Sequence, residues 1–132
     1  MQDYRIAPVI AMNTLNKLVP DKWLTYSGYD KTTIYSFLKM HDENTSDKPT
    51  REEFEAEYDK QEALYALELT RKQRDEQLKE TDWMSFSDSP AMSDDWKTYR
   101  QALRDLPASA SPKIGADGHL DMSSVTFPTE PS

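Results

Sequence analysis

The sequence predicts a helix-rich α+β fold, and three observations carry that expectation. From Thr50 to Glu80 no Pro or Gly interrupts a stretch dominated by Glu, Ala, Leu, Lys, Gln and Arg, residues that lose little on entering a helix. Two shorter stretches, near residues 7–19 and 94–106, place apolar side chains three and four apart, the repeat of one helix face. A single segment, DKWLTYSGYDKTTIYSFLKM at residues 21–40, is instead rich in β-branched and aromatic residues around a central Gly, which suits a β-hairpin.

The first helix is expected over residues 7–19, with Ile6, Val9, Ile10, Met12, Leu15 and Leu18 as its apolar positions. Pro8 is tolerated in a first turn, and Pro20 ends the run. In the hairpin, Trp23–Tyr26 and Thr32–Phe37 read as strands, joined through SGYD. Two strands alone are marginal in water, so this pair must pack on a helix or find another strand.

After the polar loop HDENTSDK, Thr50 and Glu53 stand at capping-box spacing, and acids early in the helix suit its positive end. Phe54, Tyr58, Tyr65 and Leu69 line one stripe of the long helix, while Leu64, Leu67 and Leu78 lie to another side. Self-association through the long helix is an option, on a face that the irregular apolar repeat leaves open. Ser93 reads as the N-cap of a further helix in which Trp96, Tyr99, Leu103 and Leu106 share a face and Pro107 ends the run. It should fold back on the long helix as an antiparallel helical hairpin. The remainder, ASASPKIGADGHLDMSSVTFPTEPS, is small, polar and Pro-punctuated; alone it should be extended, with a partner needed to order it. The expected organisation is a helix-plus-hairpin module at 1–48, a helical hairpin at 49–107 and an extended tail at 108–132.

Composition narrows the function. Hydrophobic residues are 36% and charged residues 30% of 132, so the core should be small and the chain elongated or partner-stabilised. A net charge of −8 opposes binding to nucleic acid or anionic membrane. The absence of Cys removes disulfides, thiolate chemistry and Cys-based metal sites. No apolar run approaches the roughly 20 residues that span a bilayer, and MQDYRIAPVIAMNTL lacks the basic leader of a signal peptide, which points to cytoplasmic synthesis.

Chemistry is equally sparse. His41 in HDEN and His119 in ADGHLD, between Asp117 and Asp121, match neither zinc-ligand spacing nor a calcium loop. Glu52, Glu53, Glu55 and Glu57 read as solvated, with nothing to desolvate them, so they do not suggest a catalytic pair. There is no Gly-rich phosphate loop, nucleophile elbow or Cys–His pair. No metal, no cofactor and no enzymatic activity are expected.

The second half carries a distinctive string. Arg71, Arg74 and Asp75 form R-x-x-R-D; Asp82 and Trp83 follow, then Trp96, Tyr99, Arg100, Gln101, Leu103, Arg104 and Asp105 in WxxYRQALRD, and finally Phe127, Pro128 and Pro131. From about residue 49 onward this order resembles the tail-fibre assembly and tail-assembly chaperone proteins of tailed bacteriophages. The resemblance implies a non-enzymatic protein that binds tail-fibre or baseplate polypeptides. It would work in the host cytoplasm during assembly and reach the virion tail if retained. Retention as a structural virion component is the expected fate, because the polar tail would be held by a partner; the alternative is a chaperone that leaves before maturation. A second alternative is an acidic inhibitor of a nucleic-acid enzyme, against which Lys60, Arg71, Lys72, Arg74 and Lys79 interleave the acids.

Under the resemblance, Trp83, Trp96, Tyr99, Arg100, Arg104, Phe127 and Pro128 are the expected partner-binding residues. Arg71, Arg74, Asp75, Asp82, Leu103 and Asp105 are the expected structural brace. Two readings of the Trp pair stand side by side: plugs in the angle between two helices, or anchors for a partner. Arg100 and Arg104 likewise read as a solvated ion-pair face or as clamps on Asp82 or Asp75.

Overall fold

The computed structural model describes residues 6–22, 24–41 and 48–132. Helices are α1 (Ile6–Leu18), α2 (Lys31–Phe37), α3 (Arg51–Glu80) and α4 (Asp94–Ser109); strands are β1 (Leu24–Thr25) and β2 (Lys39–Met40). Short 3-10 turns lie at Asp82–Ser85 and Met122–Ser124. The chain forms two compact units, residues 1–65 with 114–119, and residues 66–113 with 120–132. The first part of α3, to Tyr65, belongs to the first unit and the rest to the second. Among the described residues no helix is long and apolar enough to cross a membrane.

In the first unit the core joins Ala7, Ile10, Ala11 and Leu15 of α1 to Ile34, Leu38, Phe54 and Tyr58. The buried face of α1 thus uses small residues at 7 and 11, while Val9 and Met12 remain exposed. Buried Thr14 satisfies its hydroxyl by donating to the Ile10 carbonyl. The Tyr26 hydroxyl donates to the Pro8 carbonyl at 3.1 Å, tying the strand segment to the start of α1.

A two-stranded antiparallel pair forms, its first strand within the expected segment and its second later in the chain than expected. Leu24 pairs with Met40 and Thr25 with Lys39, and Thr32–Phe37 lies within α2. Asp30 accounts for the change. Its carboxylate accepts the Thr33 N–H at 2.7 Å, and the Thr33 hydroxyl takes the Asp30 N–H at 3.3 Å in a reciprocal capping box. This local cap outweighs the weak strand preference of Thr32, Thr33 and Ile34, and Ile34 and Leu38 turn one face into the core. Gly28, at φ +134°, leads into the cap where a Cβ would meet the Thr33 hydroxyl. Trp23 and residues 42–47 of the expected polar loop lie outside the described residues.

The entry to α3 is as expected. The Thr50 hydroxyl accepts the Glu53 N–H at 3.1 Å, and the Tyr35 hydroxyl donates to the Pro49 carbonyl at 2.8 Å. Phe54 and Tyr58 are buried, Tyr65 packs at the core edge, and Leu64 is exposed.

The second unit packs the later part of α3 with α4 in antiparallel register, since Arg74 reaches the Arg104 carbonyl while Gln77 meets Tyr99. Ser93 caps α4 by accepting the Trp96 N–H. Contrary to expectation, Pro107 does not end the helix. It removes one donor, yet α4 continues to Ser109, where the Ala110 N–H bonds to the Leu106 carbonyl at 3.0 Å. The polar tail also folds on its own chain. Asp121 N–H bonds to the Lys113 carbonyl at 2.8 Å, Lys113 N–H to the Ser124 hydroxyl at 3.0 Å, and Pro112 and Val125 are buried. Ser123 donates twice to Asp121, holding that carboxyl below its usual range.

Candidate functional site

Arg100 organises the second unit. It is only 8% exposed, and its guanidinium donates to the Leu78 carbonyl at 2.9 Å, to the Thr81 hydroxyl, and to Asp82 at 2.9 Å. Two of these acceptors, the Leu78 carbonyl and the buried Thr81 hydroxyl, lie where α3 ends, and a helix leaves its last carbonyls without intrahelical donors. A planar fork of five N–H groups can serve three acceptors at once. The WxxYR spacing therefore places Arg100 to close the end of α3 and hold the turn that follows. It does not project towards solvent, as an orienting contact for a partner would require.

The residues expected to form the brace are placed less uniformly than Arg100, which was expected to bind a partner. Leu103 is fully buried. Arg74 pairs with its neighbour Asp75 at 2.7 Å and reaches the Arg104 carbonyl at 3.4 Å. Asp105 accepts from Gln101 at 2.9 Å, and Arg104 donates to Gln101 at 3.1 Å, along the exposed side of α4. Arg71 is exposed on α3.

The aromatic residues separate into two groups. Trp96 stands edge-to-face on Tyr99, with ring centroids 5.6 Å apart. Tyr99 is buried and its hydroxyl donates to Gln77 at 3.3 Å; burial, then Glu130 and Glu80, push its pKa up. Trp83 behaves differently. It sits on the 3-10 turn that Arg100 holds and is 51% exposed, as is Phe86, at 61%, just beyond it. Backbone bonds from Met84 to Thr81 and from Phe86 to Trp83 fix the turn, and the Ser89 hydroxyl closes on the Phe86 carbonyl at 2.7 Å. Phe127 and Pro128 are half-buried.

Sequence reasoning did not single out Thr81 or Phe86. Thr81 precedes the Asp-Trp pair, and a hydroxyl at the end of a long helix was the available signal. Phe86 was hidden by its Ser- and Asp-rich surroundings.

The first unit holds a cavity of about 270 Å³ whose lining includes Tyr29, Asp30, Tyr58, Asp59 and Glu62. Lys31 bridges Asp59 at 2.8 Å, and that hydrogen bond raises its pKa. Burial, then Glu62, Asp30 and Asp59, push the Tyr58 hydroxyl up. Glu62 is raised by burial and by Asp59, partly countered by Lys31. A raised carboxyl holds its proton more tightly in the folded state. Its contribution is thus present below the unfolded pKa and lost as pH rises through the folded one. Glu62→Gln should therefore raise Tm at neutral pH and change it little in acid; thermal melts across pH would contradict this if the gain were constant.

Residues 67–132, half of the chain, match the family described as phage tail assembly chaperone protein. Comparison with curated proteins gives no match, and comparison with solved structures gives none either.

Proposed function

The chain belongs to the phage tail assembly chaperone family, and from that premise we propose that it works without catalysis, by binding a tail-fibre or baseplate polypeptide on the turn that carries Trp83 and Phe86. The observation that carries this reading is the exposure of both rings on a backbone that Arg100 and Thr81 hold in place. Large aromatic residues held ready in a fixed geometry lose little freedom on binding, which is why such residues dominate interface energetics. Trp96 and Tyr99 pack on each other on α4, and Arg104 donates to Gln101 along its exposed side. Arg100 belongs to the brace in this reading.

Release before maturation is the fate we favour. The reason for expecting retention was a tail that needed a partner for order, and residues 112–125 close on their own chain instead. The test is co-expression with the tail-fibre and baseplate polypeptides of the same phage. Trp83→Ala/Phe86→Ala should weaken co-purification by roughly a hundredfold, the loss of two interface anchors, with an unchanged melting curve. Undiminished capture by the double variant would refute the surface. Mass spectrometry of purified particles against infected-cell lysate then addresses fate, with abundance in lysate and absence from particles expected.

A further inference from the structure

We propose that the cavity of the first unit receives the side chain of a Lys or Arg presented by a bound polypeptide, its methylene stem on an apolar wall and its cation beside carboxylates. The cavity, of about 270 Å³, is bordered by α1, the start of α2, α3 and residues 114–118. Ile6, Ala7 and Ile10 of α1 with Ile114 form the apolar wall, and Asp30, Tyr58, Asp59 and Glu62 the polar one. Long cationic side chains lay their stems on apolar surface and keep the charged head among polar groups. Three carboxylates line the cavity beside a single cation, Lys31, which is already committed to Asp59 at 2.8 Å.

The polar wall has bonding capacity that the chain itself leaves unused. Tyr58 is only 4% exposed, yet its hydroxyl forms no hydrogen bond among the described residues. No sealed side-chain nitrogen or oxygen among those residues lacks a partner, so this hydroxyl opens on the cavity that Tyr58 lines. Buried hydroxyls are normally bonded, and one left without a partner is costly. Glu62, one helical turn further along the same side of α3, is partly buried and has neither hydrogen bond nor ion pair among the described residues. At Asp30 both bonds of the α2 cap, from the Thr33 N–H at 2.7 Å and the Thr33 hydroxyl at 3.0 Å, fall on Oδ1, which leaves the second oxygen for a ligand. Unused acceptors beside an apolar wall suit a ligand that only donates, and ammonium and guanidinium groups have donors and no acceptor. An anion would meet three carboxylates, and an uncharged apolar group would leave the hydroxyl and Glu62 unpaired. The cavity belongs to the first unit, whereas Trp83 and Phe86 belong to the second, so the two readings stand or fail separately.

The test titrates the full isotope-labelled chain with N-acetyl-lysine amide and N-acetyl-arginine amide, and with N-acetyl-norleucine amide as the uncharged control, followed by amide chemical shifts. Both cationic probes should give saturable shifts at Tyr58, Asp59, Glu62 and Gly115, and the norleucine probe should need roughly tenfold more for the same effect. Glu62→Gln should raise the half-saturation of the lysine probe roughly fivefold, and Tyr58→Phe, which keeps the ring in the core, roughly threefold. Thermal melts of both variants separate weakened binding from unfolding. Trp83→Ala/Phe86→Ala should bind the probe as the unaltered chain does. Equal binding of the norleucine probe would reduce the cavity to an apolar pocket and overturn the proposal. So would the absence of saturable shifts with both cations, shifts confined to other residues, or a half-saturation unchanged in Glu62→Gln and Tyr58→Phe alike.

Discussion

Arg100→Met is expected to lower the unfolding free energy by about 1–3 kcal/mol, because it removes three charge-assisted hydrogen bonds at the end of α3 while keeping most of the side chain's bulk. The Leu78 carbonyl and the buried Thr81 hydroxyl both lose a donor supplied by Arg100. The Leu78 carbonyl keeps the Thr81 N–H and hydroxyl as donors, so the loss is that of the charge-assisted bonds rather than of unpaired groups. The pair with Asp82 adds less, since that carboxylate is largely solvated. Arg100→Lys should recover only part of the loss, as one ammonium cannot present a planar fork to three acceptors. Asp82→Asn should cost under about 1 kcal/mol. Urea denaturation of the single variants and the Arg100→Met/Thr81→Ala pair checks the argument: strong coupling between positions 100 and 81 is expected. Additive losses would mean that Arg100 acts by packing alone.

Arg100 also shows how far the sequence could be read. The string WxxYRQALRD announced an Arg on the same helix as Tyr99 and Leu103, and an intramolecular clamp on Asp82 was one of its two readings. What the string could not show was the acceptor set, because two of the three acceptors belong to the last turn of a different helix. The long helix, its Thr50 cap and the Ser93 cap were legible, since each rests on contacts within a few residues. The segment at residues 31–37 was not. There Thr32, Thr33 and Ile34 favour a strand by propensity, while Asp30 with Thr33 favours a helix by capping, and burial of Ile34 decides between them. Propensity in a half-buried segment is weak against such a cap. The tail misled for a related reason. Its composition lacks large apolar side chains, but Val125 is buried and backbone bonds close residues 113–124 on themselves.

Phe54→Ala should be the most damaging single substitution in the first unit, at about 3–5 kcal/mol. Phe54 is fully buried and lies between two rings, with centroids 5.6 Å from Tyr35 and 5.9 Å from Tyr58. Removing the ring leaves a cavity in a core assembled from few large side chains, Ile10 and Ile34 among them, so little nearby volume can collapse into it. The position also fixes how α3 begins. Tyr35, one of the two rings against Phe54, bonds the Pro49 carbonyl just before the Thr50 cap, and Arg51 lies over the same ring at 4.7 Å. Loss of Phe54 should therefore loosen the cap as well as the core. Phe54→Leu keeps an apolar group of smaller volume and should cost roughly 1–2 kcal/mol. Thermal unfolding with amide exchange is the measurement. Exchange should quicken in α2 and the first turns of α3 in proportion to the volume removed. Equal losses for Leu and Ala would show that the stacking of the rings, rather than the filling of the core, is what position 54 supplies.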